Sequence, residues 1–455
     1  LSVECEPPIF CDENEGRFGG STTRNNCVDI VTMGNILELD HVTKKTTEQG
    51  AGGQFRYATS GMKGWRVTME DCHTICVGIP VDGFDGLLDD HALFAVYDGH
   101  GGDLTSLYAG ENFVKILSRR AEMKKYANLK KEGNKSRNDV TGVDLLRTAL
   151  KTTFRELDSE LRRLHIDKNE EYARAEEAYK VKAKEGPLTD EVLAQLEGHA
   201  RRIERSGSTC VVVLITPSHI MCANAGDSRA ILRRGGKAFP LSFDHKPSNI
   251  PEHERILSAG GFVKAKRVDG DLAVSRGLGD FTFKGHSDLP HHKQKVIYEP
   301  DVLVYPRDGQ NDEFVVLACD GIWDVVSNGE CSDMIQAVLD EGETDISLVC
   351  EEVLDMCLEK NSRDNMTIIL VGFPGIKMAN SSYKSSNVVL NRRASRRSRI
   401  LEAHAKAAAA NTAKSMGLKF GMSSNNPGGN GFPPKRSEIE STGALRLDAP
   451  GLKVV

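Results

Sequence analysis

Apolar runs that break off at an aspartate recur along this chain. LFAVYD ends at Asp98, HIMCANAGD reaches Asp227, EFVVLACD ends at Asp320, and SRDNMTIIL sets Asp364 just ahead of another such run. These segments are rich in β-branched residues and punctuated by Gly, Pro, Asn and Asp, so they read as strands. An Asp-Gly pair often ends a strand as a plain turn, and each acid alone carries that reading. Acids repeated at the ends of strands that share a sheet would converge, however. Several carboxylates brought together repel one another, and binding metal is a cheap way to hold them.

LFAVYDGHGG (93–102) sharpens the point, because its glycines let ligands and backbone approach closely while it delivers Asp98 and His100. YATSGMKGWRVTMEDCH adds Arg66 and the pair Glu70–Asp71, LACDGIWD adds Asp324, and SRGLGDF adds Asp280. Oxygen donors without a His/Cys cluster at zinc spacing select magnesium, manganese or calcium. Two magnesium or manganese ions about 3.5–4 Å apart can hold a hydroxide for attack on phosphorus. Arg66 could grip a phosphate through two parallel hydrogen bonds, and His100 can give up a proton near neutral pH. This chemistry is metal-assisted phosphoester hydrolysis, and it leaves open whether the ester is a phosphoprotein or a nucleotide.

The bulk of the chain bounds the answer. Its 455 residues allow two to three average domains, or one large domain with appendages. A net charge of −6 argues against nucleic acid as the main partner. Eleven cysteines without a C-x-x-C pair, several inside apolar runs (Cys210, Cys222, Cys319), fit a reducing compartment better than a disulfide scaffold. No apolar run approaches the roughly 18 residues of a membrane span, so cytosol or nucleus is the expected location.

Residues 1–52 are expected to be a largely irregular extension. Within it, MGNILELDHV places Gly34 after a methionine. Acylation of Gly34 would bring membrane contact, but Glu38 stands where that pattern wants Ser or Thr. From 53 to 373 the chain reads as one folded unit, and residues 206–234 suggest an antiparallel meander of three strands. Residues 103–120 and 142–166 carry helical stripes, 167–204 reads as a solvated charged helical insertion, and 251–261 as a short helix. NGECSDMIQAVLDEG and residues 344–360 read as two more. Residues 374–455 form a low-complexity tail with at most one helix, at about 397–415; RRAS sets Ser395 in a context that suits basophilic kinases.

In order, GWRVTMEDCH, FAVYDGHGG, SGSTCVVVLI, NAGDSRAIL, DHKPSNIPEHERILSAGGFV, LAVSRGLGDF, FVVLACDGIWDVVSN and SRDNMTIIL span roughly 57–373. On these segments the chain resembles the metal-dependent serine/threonine protein phosphatases (the PPM family, type 2C). The resemblance implies an α+β fold, a four-layer α-β-β-α sandwich of two antiparallel sheets flanked by helices. It implies Mg²⁺ or Mn²⁺, two per site with a weaker third, a monomer, and phosphorylated proteins as substrates. Position by position, Asp98 would bridge two ions, Gly99 would bind one through its carbonyl, and Glu70 would act on that ion directly or through water. Asp320 and Asp364 match ligands of the other ion, and Asp227 and Asp324, with Asp320, the third position. Arg66 matches the phosphate-binding arginine and His100 the general acid. Asp71 is expected to stand behind the ligands and Asp280 to be structural. His291 and His292 are expected to be solvated loop residues, and 245–263 a flap beside the site that bears on substrate choice.

Two other classes compete. A pseudoenzyme would have lost a ligand at Asp98, Asp320 or Asp364, and none is lost. A nuclease or nucleotide hydrolase would want a basic groove or stacking aromatics, which 6% aromatic content and an acidic balance do little to supply.

Overall fold

The computed structural model describes residues 42–131, 140–185 and 204–378, together with Ala394, Ser395, Ser398 and Glu402. In chain order the strands are β1 (Lys45–Gly52), β2 (Phe55–Met62), β3 (Cys72–Pro80), β4 (Leu87–Tyr97), β5 (Gly99–His100), β6 (Gly207–Ser208), β7 (Cys210–Ile215) and β8 (His219–Ala225). Then come β9 (Arg229–Arg234), β10 (Lys237–Pro240), β11 (Val263–Lys264), β12 (Arg267–Val268), β13 (Leu278–Gly279), β14 (Asp301–Pro306), β15 (Asp312–Ala318) and β16 (Met366–Gly372). The helices are α1 (Leu104–Arg119), α2 (Ala121–Lys131), α3 (Val140–Glu185), α4 (Ile250–Ser258), α5 (Asp320–Trp323), α6 (Asn328–Asp340) and α7 (Ile346–Glu359).

Two antiparallel sheets dominate, one ordered β1-β2-β16-β15-β9-β10 and the other β14-β8-β7-β4-β3. Their central strands are apolar on both faces because each face meets a different core. On β4, Leu93, Ala95 and Tyr97 face a core shared with α1–α3. The alternating Ala92, Phe94 and Val96 face the opposite sheet. Val315 and Leu317 on β15, and Cys319 just after it, meet that same inter-sheet core. Phe314, Val316 and Ala318 turn instead to the layer of α6 and α7. Period-two alternation between two apolar faces thus stacks helix, sheet, sheet and helix, the four-layer α+β sandwich. Ser327 caps α6 in a reciprocal capping box with Glu330, and Asp345 accepts from Ser347 N at the start of α7. Among the described residues, no helix is long and apolar enough to cross a membrane.

Two expectations change. Residues 45–52 are not irregular: KTTEQGAG is β1, an edge strand in register with β2 from Lys45↔Met62 to Gly52↔Phe55. Its polar, glycine-containing sequence hides it, because an edge strand needs only one apolar neighbour. Residues 206–234 are not one meander. β7 and β8 form a hairpin, but β9 joins the other sheet beside β15. The chain crosses between sheets at Gly226, whose φ of +126° suits glycine. The charged stretch after residue 166 continues the preceding helix, since α3 runs unbroken through Glu185. Residues 186–203 lie outside the described residues, as do Gly34 and most of the expected 397–415 helix.

Candidate metal centre

The acids gather where the two sheets end together. Asp98 follows β4 in one sheet; Asp320 follows β15 and Asp364 precedes β16 in the other. Thr209 pins the first of these: its N–H donates to Asp98 O (2.9 Å) and its Oγ1 accepts from Asp98 N (3.2 Å). Across the sheets, Asp320 N donates to Asp98 Oδ2 at 3.4 Å. Burial holds the Asp98 carboxyl well above the usual range, and Asp320, Asp71, Asp227 and Asp364 push it further. For Asp320, burial and then Asp227, Asp324 and Asp364 push it up to about 8. Asp71 is raised to about 6 by burial, against hydrogen bonds from Thr367 and Cys319. Asp71, expected to stand behind the ligands, has its carboxylate buried beside Asp98, with Thr367 Oγ1 donating at 2.7 Å.

Oxygen atoms of Asp71 and Asp98 and the Cys319 sulfur lie within 4.8 Å of one another. The thiol is buried, accepts from Thr367 N (3.1 Å), donates to Asn365 O (3.5 Å), and is held neutral by burial and the neighbouring acids. A neutral thiol is a poor ligand, so the carboxylates are the donors. Hard oxygen donors whose mutual repulsion keeps them from ionising together fit a hard metal cation, which resolves the repulsion.

Close approach at this end depends on Gly99. A Cβ there would collide with the backbone oxygen of Glu70 and lie 2.8 Å from Ser106 Oγ. Glu70 itself points its carboxylate at Thr68 Oγ1 (2.8 Å) and Gly102 N (3.2 Å), and its N–H donates to Asn365 Oδ1 (2.9 Å). It is thus not one of the groups that most raise Asp98. Asn365 also donates to Lys63 O and Thr68 O, both at 2.9 Å, fastening the loop that carries Arg66. Arg66 is largely exposed and donates through Nη2 to Asp364 Oδ2 at 2.6 Å.

Asp280, taken as structural, accepts from His100 Nε2 with both carboxylate oxygens at 2.9 Å. It does so from the left-handed conformation (φ +52°), held by its N–H to Ser206 O. Burial lowers the His100 pKa, but the charge and hydrogen bond of Asp280, then Asp227 and Glu70, outweigh it and raise the imidazole overall. The pair is separated by 180 positions, so only the SRGLGDF motif offered a signal.

Asp227 and Asp324 approach the cluster from the outside. Asp227 is buried where the chain crosses between sheets, and Asp324 is mostly exposed one turn after Asp320. His291, expected to be solvated, is half-exposed but stacks on Tyr298 (5.3 Å, 14°) and lies 2.8 Å from Glu299. It does not reach the cluster's described contacts.

The comparisons with known proteins point one way. A family model described as protein phosphatase 2C matches residues 55–173 and 158–366. The chain is 38% identical over 342 residues to protein phosphatase 1A of Homo sapiens, covering 75% of this chain and 76% of that protein. It is 39% identical over 341 residues to protein phosphatase 1B of Rattus norvegicus, with the same coverage. Among solved structures, a serine-threonine phosphatase 2C from Toxoplasma gondii superposes with a TM-score of 0.54. At 22% identity over 72% of this chain and 99% of the other, that likeness speaks for the fold alone.

Proposed function

The chain belongs to the protein phosphatase 2C family of serine/threonine protein phosphatases, and from that premise we propose a two-ion phosphoserine/phosphothreonine hydrolase with Mg²⁺ or Mn²⁺ at the ends of the sheets. What carries the reading is the convergence of Asp98 from one sheet with Asp320 and Asp364 from the other. Asp98 would bridge the two ions, Gly99 and Glu70 would serve one, and Asp320 and Asp364 the other, with Asp227 and Asp324 at a weaker third. Bound there, such ions supply Lewis acidity that activates the attacking water and offsets the charge of the phosphoryl group.

The chain's own residues do the rest. Arg66, exposed at the rim and paired with Asp364, would turn its remaining donors to the phosphate and orient it. Asp280 fixes His100 through Nε2, leaving Nδ1 as the nitrogen that gives a proton to the departing serine or threonine oxygen. Asp280 is buried, while the half-buried His100 ring keeps a face open towards the substrate side.

Replacing His100 by Gln is expected to slow phosphopeptide turnover about 100-fold. Turnover of an aryl phosphate, whose leaving group needs no proton, should fall far less, and bound metal should be unchanged. Equal losses on both substrates would refute the general-acid role. Asp280→Asn should show the same substrate dependence with a smaller loss, as a positioning residue does. Loading the site near pH 7 is expected to release protons, because Asp98 and Asp320 are raised above their usual range and must ionise to bind. Titration calorimetry with Mn²⁺ in buffers of different ionisation enthalpy reads this directly; buffer-independent heats would contradict it.

A further inference from the structure

The Lys246 ammonium lies 2.5 Å from Asp227 Oδ2 and 4.0 Å from Asp324 Oδ1. Asp227 is buried to 2% exposure, so an uncompensated charge there would be costly, and Lys246 compensates it. Asp320 acts on the same ammonium. The carboxylates assigned above to a third ion therefore already face a positive charge that the chain itself provides, in contact with Asp227 and near Asp324.

The backbone holds Lys246 in this place. His245 N donates to Gly226 O (2.9 Å) and His245 Nδ1 accepts from Gly226 N (3.3 Å), so the stem is fixed beside the Asp227 turn. On its other side, Lys246 O accepts from Asn249 N (3.0 Å), closing the turn that leads into α4. That helix lies in the 245–263 flap segment and shares with the β11–β12 hairpin a small core around Ile256, Val268 and Val296. The ammonium is thus the flap's ionic link to the acid cluster.

A magnesium ion would sit about 2.0–2.1 Å from its oxygen ligands. An ammonium in contact with the same Asp227 oxygen would then adjoin a like charge. We infer that Lys246 is a resident cation of the third-ion position, that a third divalent ion must displace it, and that its displacement loosens the turn into the flap helix. This rests on the two-ion reading above and explains why the third position would be weak: an existing ion pair has to be broken first.

The test is Mn²⁺ titration of the full chain, by calorimetry and by electron paramagnetic resonance of free Mn²⁺, on wild type, Lys246→Met, Lys246→Gln and Lys246→Arg. The two neutral variants should keep two tight ions and bind the third at least about tenfold tighter than wild type, as expected for removing a unit charge a few ångströms away. Lys246→Arg should behave as wild type. Lys246→Gln retains a donor for Asp227 and serves where Lys246→Met fails to fold. Hydrogen exchange of amides 247–258 should rise in wild type only as the third ion loads, and should already be raised in the neutral variants. Two tight ions with third-ion affinity unchanged in both neutral variants, or flap amides unmoved throughout, would overturn the inference alone. No divalent-ion binding by wild type would overturn the two-ion reading along with it.

Discussion

Asp98→Asn is expected to weaken divalent-ion binding by well over about 100-fold and to lower phosphopeptide turnover by about 1,000-fold or more. Residues that merely orient a metal ligand cost about 10–100-fold when lost, and a carboxylate shared by two ions should exceed that. The same substitution should leave the ion-free protein no less stable. The folded-state pKa of Asp98 lies above its unfolded value, so the group favours folding at low pH and that advantage is lost as pH rises towards the folded pKa. At neutral pH the carboxyl is therefore a burden that the amide relieves. Thermal unfolding in chelator from pH 4 to 8 should show the variant gaining on wild type as pH rises. Retention of wild-type ion affinity would remove Asp98 from the centre of the mechanism.

Gly99→Ala is expected to lose activity almost as completely, by a different route. Nothing polar is removed; the added methyl meets the Glu70 carbonyl and Ser106 Oγ, and backbone on one side of that contact must move. Overpacking of this kind costs about 1–3 kcal/mol, and here the strain falls between Asp98 and Glu70. Urea unfolding should report the stability loss and calorimetry a weakened metal site. Gly329→Ala is the matching control, since a Cβ there meets nothing within 4 Å and the residue lies in α6. It should be neutral or stabilising by up to about 1 kcal/mol.

Much of the sandwich could be read from the chain because its central strands are doubly buried. HIMCANA and RAILRR mark β8 and β9 to the residue, and the acids at their ends announce the cluster. Which sheet a strand joins was not readable, since β8 and β9 carry the same apolar pattern and only the turn at Gly226 separates them. DVLVYP went unnoticed as β14, being half-exposed and bounded by prolines. Pairings between distant charges were equally hidden: Asp280 with His100 and Lys246 with Asp227 depend on loop paths that no local periodicity encodes. Asn365, which ties the Arg66 loop to Glu70, stood in plain view beside Asp364 but bore no chemical signature.

The opposed leaves of the sandwich otherwise meet through side chains such as Phe94, Val213 and Leu317, a greasy seam that resists parting more than slippage. Cations held as proposed between Asp98 on one leaf and Asp320 and Asp364 on the other would act as rivets across that seam. Mass action would then tie the cohesion of the two leaves to the free-ion concentration. Starving the enzyme of metal should then slacken its frame as well as silence its chemistry.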